Sequence, residues 1–94
     1  MGIRPEVIRE IRELALKYDL KKVILFGSRA RGDYKERSDI DLAVAGGNVT
    51  AFSLDVEEKT STLLFFDVIN LDGPVQKELL EAIAREGVVL YEKV

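Results

Sequence analysis

Ninety-four residues, 47% of them hydrophobic, hold apolar material for one core but not for a second domain with its own substrate pocket. The net charge is -3, unlike the basic excess of a dedicated nucleic-acid binder, and the chain has no cysteine and no histidine. That composition excludes disulfides, thiolate zinc sites, cysteine nucleophiles and histidine bases, and leaves any metal to oxygen ligands, which favours magnesium or manganese.

In chain order, the spacing first predicts a helix over about Arg4 to Tyr18. Pro5 suits its first turn, and Val7, Ile8, Ile11, Leu14, Ala15 and Tyr18 share one face. The apolar run at Lys22 to Phe26 reads as a buried strand. Ser28 is placed to cap a short helix over Arg29 to Gly32. A polar loop, Asp33 to Ser38, leads to a second strand at about Asp39 to Ala45. Gly46-Gly47-Asn48 then breaks the chain, and Thr50 or Asn48 can cap a helix over about Ala51 to Thr60, with Phe52, Leu54 and Val56 inward. A third strand spans about Leu63 to Leu71. Asp72-Gly73-Pro74 turns into a last helix with Pro74 in its first turn, a buried stripe of Val75, Leu79, Leu80, Ile83 and Ala84, and Gly87 at its end. Val88 to Tyr91 is a short final strand.

This order predicts an α/β protein of the α+β kind: a four-stranded mixed sheet covered by helices, one domain over residues 1–94. No apolar run approaches the roughly 18 residues of a membrane span, and no signal-peptide pattern opens the chain. A cytoplasmic protein with no membrane partner is the expectation.

The chemistry concentrates in one stretch. Gly27-Ser28 follows the first strand, and Asp39-Ile40-Asp41 opens the second, ten residues later. Alternate residues on a strand share a face, about 6.6 Å apart, so Asp39 and Asp41 point one way and Ile40, Leu42 and Val44 the other. Two converging carboxylates repel by about 4 kcal/mol at 4 Å in a surface-like dielectric, and a divalent cation between them reverses the sign. Alone, each feature has a plain explanation, a solvated edge or a capped turn. Together, at adjacent strand ends, they favour a site for a nucleotide phosphate and its metals. Glycine lets a ligand approach the backbone, and the serine offers a hydroxyl. Arg29, Arg31, Lys35 and Arg37 lie in the same connection, available to phosphate charge or to Asp33 and Glu36. Asp67 is a charge in an otherwise apolar strand, where an unpartnered burial is expensive. It is the candidate third carboxylate. Asp72, its rival, is explained by the turn it opens.

Leu25-Phe26-Gly27-Ser28-Arg29-Ala30-Arg31-Gly32, continued by Ser38-Asp39-Ile40-Asp41-Leu42, closely resembles the signature of the DNA polymerase β-like nucleotidyltransferases, and the chain is similar to their smallest branch, the minimal nucleotidyltransferases. The resemblance implies a polymerase β palm-like fold. Gly27 and Ser28, with Arg29 and Arg31, would bind the nucleotide. Asp39, Asp41 and Asp67 would be the catalytic, metal-holding trio for two Mg2+ ions, with Mn2+ an alternative. AMP would pass from ATP to a hydroxyl acceptor with release of pyrophosphate. Members of this branch often act as antitoxins beside HEPN-domain toxins, and some modify a tyrosine of the toxin. The expected partners are thus ATP and a HEPN toxin, in a homo- or hetero-oligomer and without strong nucleic-acid binding. The competing readings are an antitoxin that neutralises by occlusion, a small-molecule (antibiotic-type) nucleotidyltransferase, and self-modification on Tyr34 or Tyr91.

Overall fold

A computed structural model describes residues 2–94. The described residues form four helices and a four-stranded mixed sheet. In chain order these are α1 (Pro5–Lys17), β1 (Lys22–Phe26), α2 (Ser28–Arg31), β2 (Ile40–Ala45), α3 (Val49–Lys59), β3 (Phe66–Asn70), α4 (Lys77–Glu86) and β4 (Val88–Glu92). The strands run in the order β3-β2-β1-β4. β1 is antiparallel to both β2 and β4, and β2 is parallel to β3.

Period-two alternation in β1 and β2 divides the core between the two faces of the sheet. Val23 and Leu25 of β1, with Ile40, Leu42 and Val44 of β2, meet Val7, Ile11, Leu14 and Ala15 of α1 and Phe52 and Val56 of α3. The opposite face carries Ile24, Phe26 and Ala43, covered by Leu79 and Ile83 of α4. Asn48 caps α3, its Oδ1 accepting from the Ala51 amide at 3.1 Å.

Four expectations are corrected. Leu54 is 61% exposed, because the i/i+4 pair Phe52 and Val56 fixes the inward face of α3. β3 starts at Phe66 rather than Leu63. It is an edge strand whose pairing with β2 begins at Ile40↔Phe66, with the Ile40 amide donating to the Phe65 carbonyl at 2.9 Å; the residues before Phe65 lie ahead of the start of β2, and Leu63 and Phe65 are exposed. α4 starts at Lys77, after an extended Gln76, not at Pro74. With Val75 outside the helix, Leu79 and Ile83 face the sheet, while Leu80 and Ala84 turn to solvent. Gly87 does end α4, but with an extended backbone. A Cβ there would lie 2.4 Å from the Ile83 carbonyl oxygen and 2.6 Å from Ile24 Cγ2, so glycine serves close approach of the helix end to β1.

Candidate active site

Strand register builds the site. Phe26 is opposite Asp41 across β1 and β2, and Asp41 is opposite Asp67 across β2 and β3. The end of β1, Asp41 and Asp67 therefore stand abreast on three adjacent strands. Asp39 lies one residue before β2 and two before Asp41, the strand period that returns it to the same face. That face is the one α4 covers further along, over Ala43. Asp41 is half-buried; Asp39 and Asp67 are exposed. Among the described residues, none of the three takes part in an ion pair or a side-chain hydrogen bond. Burial, and then the charges of Asp67 and Asp39, push the Asp41 carboxyl up to about 6.

Gly27 closes the other side. Its φ is +75°, and a Cβ at this position would fall 2.2 Å from Asp41 Oδ2. Only glycine brings the backbone this close to the carboxylate. Gly27, not Ser28, is the N-cap of α2, and no side-chain cap bond forms. The expected capping role of Ser28 is thus corrected, because α2 begins at Ser28 itself. The structure also redirects Arg29. It is 5% exposed, with Nε donating to the Ser38 carbonyl at 2.9 Å, Nη1 to that of Gly2 at 2.7 Å, and Nη2 to those of Lys35 and Glu36 at 3.3 and 3.1 Å. The Tyr34 ring stacks on its guanidinium. Its donors hold the loop that delivers Asp39, which corrects the expectation of a nucleotide contact. Arg31 is different. Half-exposed, it donates from Nη1 to Glu86 Oε2 at 2.8 Å and from Nε to the Asp33 carboxylate at 3.3 Å. Its charge opposes the upward push on Asp41.

The family model described as polymerase beta, nucleotidyltransferase, matches residues 9–94. The chain belongs to the polymerase β nucleotidyltransferase family. A protein of Methanocaldococcus jannaschii named as a candidate protein adenylyltransferase is 38% identical over 82 residues, 77% of this chain and 79% of its own length. A second protein of that organism, so named as well, is 50% identical over 42 residues, 42% of each chain. Among solved structures, a minimal nucleotidyltransferase candidate matches with a TM-score of 0.68 at 28% identity, over 86% of both chains. A toxin–antitoxin crystal structure with AMP-PNP matches with a TM-score of 0.75 at 20% identity, over 92% of this chain and 73% of that one, which shows the fold. The expected resemblance therefore holds: the chain is a minimal nucleotidyltransferase domain and a nucleotidyltransferase.

The sequence reading of this nucleotidyltransferase missed Glu86. It sits in the last turn of α4, its side chain 12% exposed, and its charge also acts on Asp41. A signal was present, because Leu79, Ile83 and Glu86 follow the i, i+4, i+7 spacing of an inward stripe. Among the described residues no three acidic side chains stand at metal-holding distance. Mutual repulsion favours that separation, yet the donors fit a hard divalent cation. They are all oxygen, they share one face, and burial together with the neighbouring charges of Asp67 and Asp39 raises the Asp41 carboxyl, a strain that a divalent cation would relieve. No described helix is long and apolar enough to cross a membrane.

Proposed function

We propose that this nucleotidyltransferase transfers AMP from ATP to a hydroxyl of a partner protein, a tyrosine of a HEPN toxin, and acts as that toxin's cytoplasmic antitoxin. The observation that carries the reading is the trio Asp39, Asp41 and Asp67: three carboxylates on one sheet end, without protein partners among the described residues, beside a glycine whose backbone lies directly against Asp41. Asp39, Asp41 and Asp67 would hold Mg2+ or Mn2+, and the metal when bound supplies charge neutralisation and a lowered acceptor pKa. Gly27 admits the phosphates to the backbone, the Ser28 hydroxyl donates to a phosphate oxygen, and Arg31 faces triphosphate charge. The acceptor oxygen attacks the α-phosphorus, the bond to the bridging oxygen breaks, and pyrophosphate leaves. Asp67, exposed on the edge strand, takes the acceptor's proton.

Two further features support a protein acceptor. Asp39 and Asp67 are exposed at the carboxylate end of the sheet. An adjoining hollow of about 480 Å³ is lined by Glu36, Arg37, Leu63, Leu64 and Phe65, the segments that lead into Asp39 and Asp67. The names of the similar proteins, a candidate protein adenylyltransferase and a toxin–antitoxin complex, point the same way.

The test incubates the protein and the product of the neighbouring gene with ATP labelled at the α-phosphate. Label on a tyrosine of the partner, lost in Asp41→Ala, is the expected result. Neutralisation of the toxin by Asp41→Ala without label would establish occlusion instead.

A further inference from the structure

The Arg31–Glu86 pair is a long-range tie on the border of the site. It joins α2 to the last turn of α4 across 55 positions in sequence, at 2.8 Å. The Glu86 carboxylate is nearly buried, whereas Arg31 remains 46% exposed. Glu86 is itself fixed. Ile83, one turn earlier, is buried against Phe26 and Ala43, and Gly87, the next residue, donates its amide to the Ile83 carbonyl at 2.8 Å with no room for a Cβ against Ile24. Asp33 takes the Nε edge of the same guanidinium. Two of the three nitrogens are thus committed, and Nη2 has no acceptor among the described residues. The pair stands beside the carboxylate end: the Arg31 amide donates to the Gly27 carbonyl at 3.1 Å, and Gly27 lies directly against Asp41.

We propose that Glu86 is a positioning residue: it holds the Arg31 guanidinium in one orientation, with Nη2 directed to a phosphate oxygen of the bound nucleoside triphosphate. The assignment rests on the nucleotide reading of the site given above. An arginine on a four-residue helix sweeps many rotamers, and ordering it on binding reduces affinity. A planar guanidinium held at Nη1 by one carboxylate and at Nε by another keeps its remaining nitrogen in a set direction. Glu86 therefore lowers the ordering cost of nucleotide binding without touching the nucleotide. This also accounts for an otherwise costly feature, a further acidic group beside three carboxylates that already repel one another.

The experiment is a double-mutant cycle read by calorimetric titration with ATP and Mg2+. Wild type, Glu86→Ala, Arg31→Ala and the double variant are compared, each shown to be folded by circular dichroism. Glu86→Ala is expected to weaken binding about three- to tenfold, the loss that follows from ordering one long side chain anew. In the Arg31→Ala background the same change is expected to have no further effect. The isosteric Glu86→Gln keeps the test decisive where the alanine variant does not fold, with a smaller loss that again vanishes without Arg31. Wild-type affinity in both Glu86 variants, or losses that add in the double variant, would overturn the assignment. A wild-type protein that binds no ATP with Mg2+ would instead overturn the nucleotide reading beneath it.

Discussion

Asp55, on α3, accepts a hydrogen bond from the Tyr18 hydroxyl and lies 3.4 Å from Lys59 and 3.7 Å from Lys17. Asp41, on β2, has no such partner among the described residues and faces Asp39, Asp67 and Glu86. The Tyr18 hydrogen bond, followed by the lysine charges, holds the Asp55 carboxyl below the usual carboxylate range. Burial and like charge push that of Asp41 up to about 6. The same residue type is satisfied in one place and frustrated in the other. Where a carboxylate serves the fold, this molecule supplies donors. At the sheet end it withholds them, and an arrangement that disfavours the folded state there is explained by a ligand of opposite charge.

The largest expected effect comes from Asp41→Asn. Transfer activity should fall at least a hundredfold, on the order seen when a group that stabilises transition-state charge is removed. Stability should rise. A carboxyl raised from 3.8 to about 6 in the folded state favours folding below its unfolded value, and that advantage is lost as pH rises through about 6. At pH 7 the asparagine variant should gain about 1–2 kcal/mol once solvent screening is allowed for, and the gain should vanish below pH 4. Urea unfolding across this range checks the sign.

Next is Gly27→Ala. It places a Cβ against Asp41 and forces φ +75° on a residue with a side chain, for roughly 1–3 kcal/mol of destabilisation. Thermal unfolding reports the strain, and a nucleotide titration reports the displaced carboxylate.

The smallest effect inverts the first. Asp55→Asn should lower stability at neutral pH, and the deficit should shrink as pH falls, because a depressed carboxyl contributes stability only above its unfolded value. Opposite signs for the two Asp→Asn changes would sharpen the comparison; equal signs would break it.

Most of the scaffold was legible in the sequence because burial drives it. The 3.6-residue stripe Val7, Ile11, Leu14, Ala15 and the apolar run of β1 set both elements to within a residue or so. Asp39 and Asp41 share a face for reasons of strand geometry alone. The start of β3 was not legible, since it depends on where β2 begins to pair. Nor was the role of Arg29, because its partners are backbone carbonyls, which carry no residue identity. The pairing of Arg31 with Glu86 is set by how α4 lies on β1, which no local pattern encodes. The placement of Asp67 opposite Asp41 needed the parallel register of β2 and β3.

The most direct measurement is calorimetric titration of ATP into wild type and Asp39→Asn, with and without Mg2+, alongside their unfolding midpoints. The account predicts metal-dependent binding by the wild type that disappears in Asp39→Asn while the fold is retained. Equal binding by the two proteins, or wild-type binding indifferent to Mg2+, would contradict it.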